Sequence, residues 1–108
     1  MFEESYFGLE KKRYETRGIN ERLPIQIKLV IWNLIDGLEE VRKDYLQVFR
    51  LEVVSENGRK VQQIVHSQEE PEYSNTYTIP LVGDGVKGKV FCIDDGADYV
   101  TMLWAEEY

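Results

Sequence analysis

Cysteine is almost missing from this chain of 108 residues: Cys92 stands alone, so no internal disulfide can staple the fold. Histidine is as scarce, and proton transfer near neutral pH would rest on His66 alone. No unbroken apolar run exceeds four residues, as in Leu29 to Trp32, far short of the roughly 20 needed to cross a bilayer. Bases are outnumbered, thirteen Lys and Arg against twenty Asp and Glu, for a net charge of −7. That balance argues against sequence-independent binding to nucleic-acid phosphates. There is no internal repeat, no low-complexity linker, and no charged-then-apolar leader, so the expected setting is a reducing bacterial cytoplasm, away from membranes.

What is present suits one globular domain, with 43% hydrophobic and 31% charged residues. The acidity is uneven, because residues 55–108 hold ten acids and four bases. Residues 1–12 show no clean period and read as an N-terminal arm, leaving 13–108 as the domain. Arg13 to Arg17 alternates like a short, half-exposed strand that Gly18 ends. A helix is expected from about Pro24, since proline suits the first helical position. Leu23, Ile27, Val30, Ile31, Leu34, Leu38 and Val41 fall on one face at 100° per residue, which favours continuing the helix past Gly37 to about Lys43.

Beyond Asp44 the period changes to two. Asn57-Gly58 sits between alternating runs and predicts a type I′ hairpin with Glu56 opposite Arg59, Val54 opposite Val61, Leu51 opposite Ile64 and Phe49 opposite His66. Further strands are expected at Thr76 to Leu81, Lys89 to Asp94 and Tyr99 to Ala105, the last two joined tightly at Asp95-Gly96. The fold class is therefore α+β: a mainly antiparallel sheet of five or six strands with one long helix packed on one face.

The segments Arg13-Tyr-Glu-Thr-Arg-Gly-Ile-Asn20, Trp32-Asn-Leu-Ile-Asp36, Asp44-Tyr-Leu-Gln-Val-Phe49, His66-Ser-Gln-Glu-Glu-Pro-Glu-Tyr73, Ile93-Asp-Asp-Gly96 and Thr101-Met-Leu-Trp-Ala-Glu-Glu-Tyr108 resemble a family catalogued as domain of unknown function 960. These are small proteins of low-GC Gram-positive bacteria, their phages and mobile elements. The resemblance runs from about Arg13 to Tyr108 and implies a bacterial, cytoplasmic, element-borne protein. It brings no activity and no catalytic residue.

Candidate chemistry is thin. His66 falls on the apolar face of a hairpin, where a packed imidazole is the ordinary outcome, and Cys92 lies between Phe91 and Ile93 as a small buried hydrophobe. Together they support an alternative reading as a small hydrolase or transferase, with no third residue to activate the pair. Asp94, Asp95 and Asp98 offer clustered carboxylates, but their spacing around Gly96 reads first as a turn, so neither a metal nor a cofactor is expected. Glu69, Glu70 and Glu72 read as a solvated loop. The glycines of 82–89 precede no helix that could cradle phosphate. Lys11, Lys12, Arg13 and Arg17 around Tyr14 are diluted by Glu10 and Glu15.

A binding module is thus favoured over an enzyme, with a protein partner or a homodimer as its counterpart. An acidic surface imitating DNA is a third possibility, but the acidic segments are too few to define a spacing. Ile25, Leu29 and Trp32 form a stripe roughly opposite the core face of the helix. Leaving them wet would forgo about 1.5 to 3 kcal/mol each. The candidate covers are Phe2, Tyr6, Phe7 and Leu9 of the arm, Trp104 and Tyr108, a second copy of the helix, or a foreign helix.

Overall fold

The computed structural model describes residues 6–39 and 41–108. Six strands form one sheet: β1 (Lys12–Glu15), β2 (Leu46–Glu56), β3 (Arg59–Gln68), β4 (Tyr73–Pro80), β5 (Gly88–Ile93) and β6 (Tyr99–Trp104). Their order across the sheet is β1-β6-β5-β2-β3-β4. Every neighbouring pair is antiparallel except β1 with β6, which is parallel. Two helices, α1 (Arg17–Arg22) and α2 (Ile25–Asp36), lie between β1 and β2.

The hairpin β2-β3 turns where expected. Asn57 and Gly58 take φ of 53° and 78°, the two positive values that a type I′ turn requires. All four expected pairs are formed, from Glu56 with Arg59 to Phe49 with His66. At the other end of the sheet β5 and β6 pair as a second hairpin, with Val90 opposite Trp104, but the residues between them run from Asp94 to Asp98 and are longer than a tight Asp95-Gly96 turn.

The long helix is a correction. α2 has 12 residues and stops at Asp36, where Gly37 caps it by donating its amide to the Asn33 carbonyl at 2.9 Å. The sheet dominates the fold. Leu38 is buried in phase with the helix, yet it follows the helix end, its amide turned back to the Ile35 carbonyl at 3.2 Å, and is not part of another helical turn. Before α2, the chain that leaves β1 forms an unforeseen helix: Thr16 caps α1 by accepting the Ile19 amide at 3.2 Å, and Gly18 lies within it.

α2 presents Ile27, Ile31 and Ile35 to the sheet, where they join Phe49, Leu51, Ile64, Val90, Cys92, Val100, Met102 and Trp104 in one core. At 1.5 Å per residue this helix is about 18 Å long. It also holds β1 in place, because Arg13 pairs with Asp36, and Lys28 reaches Glu15 at 3.1 Å. Lys12 and Tyr14, the alternate residues of β1, turn to the other side of the sheet.

Gly58→Val should lower the melting temperature by several degrees, since a β-branched residue resists φ of 78° while no neighbour stands in its way. Circular dichroism melts of the two proteins check this, and Asn57→Gly should leave the melt nearly unchanged.

Candidate interaction surface

A strand alternates its side chains between two faces, so residues of the helix-covered face fix the identity of those on the other. In β2 the covered set is Gln47, Phe49 and Leu51, which leaves Leu46, Val48 and Arg50 pointing away from α2. Across the sheet the registers align Tyr14, Thr101, Ile93 and Leu46 in one row of the uncovered face. The next row holds Leu103, Phe91, Val48 and Ser67. An antiparallel sheet facing water normally carries polar side chains at such positions. Here the rows are largely apolar.

Aromatic rings frame this band. Tyr14 meets Tyr99 edge to face at 5.5 Å, and Tyr108 meets Phe91 in the same way at 5.7 Å. Between them lies a hollow of about 230 Å³ lined by Ile93, Asp95, Tyr99, Thr101, Leu103 and Tyr108. Below the rows Arg50 sits directly opposite Lys89, and neither has a carboxylate partner among the described residues. Two like charges facing each other across strands disfavour the bare sheet slightly.

The helical stripe divides. Ile25 and Leu29 are 63% and 56% exposed, whereas Trp32 is only 7% exposed and belongs to the core. Its ring lies beneath the Arg13 guanidinium, 4.6 Å from centroid to carbon, because β1 docks beside β6 and carries Arg13 over the helix. Among the described residues, none of the arm covers Ile25 and Leu29. Phe2 lies outside the described residues, Leu9 is exposed, Tyr6 approaches Tyr45, and Phe7 is buried in the core. Trp104 is turned the other way, packed under Arg22 with its indole donating to the Gly18 carbonyl at 3.0 Å.

Phe7 is held by Asp94, which is fully buried. The carboxylate accepts the Phe7 amide at 2.7 Å, the Lys11 ammonium at 2.9 Å and the Gly96 amide at 2.9 Å. Burial alone would raise its pKa, but the Phe7 amide and then Lys11 and Gly96 outweigh that and hold it below the usual carboxylate value. Asp95 accepts the Ala97 amide at 3.2 Å, and the Asp98 carbonyl accepts from Lys12 at 3.1 Å. The aspartates thus tie the arm and the β5-β6 loop to the sheet.

His66 and Cys92 share the covered face but stand on β3 and β5 with β2 between them, roughly 10 Å apart by strand spacing. Phe49 stacks on the imidazole at 4.4 Å. Gln47 donates through Nε2 to the Asp44 carbonyl at 3.0 Å and to Gln68 Oε1 at 2.7 Å, so its Oε1 must accept from His66 Nε2 at 2.6 Å. That assigns the proton to Nε2 and leaves Nδ1 buried with no partner among the described residues. Gln68 in turn donates to the Arg42 and Pro71 carbonyls. The network pins loops, and burial raises the Cys92 thiol well above its ordinary value. No imidazole reaches that thiol to activate it.

With this geometry in view, comparison with known proteins is informative. A family model described as a Staphylococcal protein of unknown function (DUF960) matches residues 12–107. The chain belongs to this family. A protein of unknown function from Enterococcus faecalis, known from a crystal structure, superposes with a TM-score of 0.76 at 26% identity, over 100% of this chain and 98% of that one. No curated protein matches. Family membership and a bacterial origin are thereby fixed, and the signal that sequence reading missed is in β5 and β6, where Phe91, Ile93, Tyr99 and Leu103 stand on the outward side of the alternation.

Acid should weaken the fold in two windows. Burial lowers the His66 pKa from 6.5 to about 4, so the unfolded chain binds a proton there that the folded chain refuses. Stability should therefore fall as pH drops from 6.5 to about 4, by roughly 3 kcal/mol, and His66→Phe should flatten that window. Asp94 acts below it: its folded pKa is depressed, so its contribution is present above the unfolded value and is lost as pH falls through the folded one. Denaturant melts across pH for wild type, His66→Phe and Asp94→Asn separate the two.

Proposed function

We propose that this protein is a non-enzymatic interaction module that docks a protein partner on the uncovered face of its sheet. The observation that carries the reading is the half-buried apolar band of Leu46, Val48, Phe91 and Ile93, beside buried Leu103 and framed by exposed Tyr14, Tyr99 and Tyr108, on the side of the sheet that α2 does not reach. Contiguous apolar surface of this kind is what soluble proteins keep for contacts. Phe91 and the tyrosines supply rigid, amphipathic area of the sort that dominates interface energetics. Arg50 and Lys89 lie at the rim, where an acidic group on the partner would relieve their repulsion.

Ile25 and Leu29 form a second, smaller contact on α2, without Trp32. The lone buried thiol of Cys92 suits a reducing cytoplasm. The alternative reading, a hydrolase or transferase using His66 and Cys92, finds less support, because the imidazole Nε2 is engaged by Gln47 and a strand separates it from the thiol.

Val48→Glu with Phe91→Glu should abolish capture of whatever the tagged wild type enriches from a host lysate, while Leu29→Glu should retain most of it. Quantitative mass spectrometry of the three captures reads this out, with melting temperatures to confirm folding. Equal enrichment by wild type and the double variant would contradict the reading.

A further inference from the structure

The sheet has two edges, and they are built differently. β1 is short and three of its four residues are charged, which is how natural sheets discourage unwanted pairing. β4 has eight residues and no charge at all. It opens the longest uncharged stretch of the chain, the eleven residues 73–83, in a sequence that is 31% charged as a whole. Nothing among the described residues pairs with its outer side.

The polarity of that edge follows from the hairpin turn. Glu56 and Arg59 close a two-residue loop and exchange hydrogen bonds, so odd residues of β3 bond β2 and even residues bond β4. In β4 the residues opposite those, Tyr73, Asn75, Tyr77 and Ile79, are consumed by β3. Ser74, Thr76 and Thr78 therefore aim their amides and carbonyls outward, and Pro80, with no amide, ends the edge. The Thr76 amide confirms the direction, since it is met only by its neighbour's side chain, Asn75 Oδ1 at 2.9 Å.

We infer that β4 pairs antiparallel with β4 of a second copy of this chain, across a two-fold axis at Thr76. That register sets Thr76 against Thr76 and Ser74 against Thr78 on one face, and Asn75 against Tyr77 and Tyr73 against Ile79 on the other. About six backbone hydrogen bonds form. The charges at the two ends of the edge favour this partner. Glu69, Glu70 and Glu72 precede β4, while Arg59 and Lys60, with Glu56 as the one acid opposite Arg59, leave a net positive charge at its far end beside Pro80 and Leu81. None of these has an ion-pair partner among the described residues. Antiparallel pairing brings the acidic turn of each copy alongside the basic end of the other, twice by symmetry. Both uncovered faces then lie on the same side of one continuous sheet, although the pairing itself does not depend on how that face is used.

Sedimentation velocity on the full chain from micromolar to millimolar concentration tests the pairing. A concentration-dependent dimer is expected. Thr76→Lys, at an outward and exposed position that spares the β3 ladder, should weaken it by about tenfold or more with an unchanged melt. Arg59→Glu with Lys60→Glu should weaken it as well, and adding Glu70→Lys and Glu72→Lys should restore it. A monomer at every concentration, a dimer indifferent to Thr76→Lys, or one split instead by Leu29→Glu would each overturn the inference.

Discussion

One helix of about 18 Å has to serve a six-stranded sheet roughly 24 Å wide, and it serves only one side of it. Everything else in the molecule is arranged around that shortage. On the covered side, beyond α2, the chain fills in with Ile19 of α1, Leu23, Phe7 from the arm, Leu38 after the helix and Trp104 roofed by Arg22. On the other side the apolar rows between Tyr14 and Val48 are only partly covered, with Leu103 buried, Tyr108 edge-on to Phe91, and Leu46, Val48 and Ile93 half-buried.

Polar groups on the covered face do a different task from the one their chemistry first suggests. Gln47, His66 and Gln68 form a chain of hydrogen bonds that ends on the carbonyls of Asp44, Arg42 and Pro71. Gln62 likewise clamps Val86 from both sides, donating to its carbonyl at 3.0 Å and accepting its amide at 2.7 Å. Each buried amide satisfies loop backbone that would otherwise be stranded away from water. Asp94 does the same for the arm. The only histidine is thus a neutral structural donor, engaged through Nε2 and stacked on Phe49.

How much of this was legible follows from the range of each signal. Asn57-Gly58 is a local instruction, and the whole β2-β3 register followed from it. The inward face of α2 was legible in part: Ile27 and Ile31 repeat at helical spacing and are buried, but the expected stripe held Val30 and Leu34, which are only partly buried, in place of Ile35. The end of the helix was misread because Leu38 and Val41 stay in phase while Gly37 caps the chain, and periodicity does not distinguish a continued helix from an irregular segment that buries the same residue. Trp32 was misplaced for a reason beyond its helix: it sits about 100° from Ile31, and only the parallel docking of β1 on β6 supplies Arg13 as its cover. The uncovered face depended on strand order, which no stretch of sequence states by itself.

The account turns on whether the uncovered face is open in the isolated protein and occupied in the cell. Carbene footprinting addresses both, by comparing labelling of the purified chain with labelling in a whole lysate of a bacterium that carries it. Val48, Phe91, Ile93 and Tyr99 should be labelled readily in isolation and protected in the lysate, with Ile25 and Leu29 changing less. Protection confined to Ile25 and Leu29, or equal labelling of the sheet face in both settings, would contradict it.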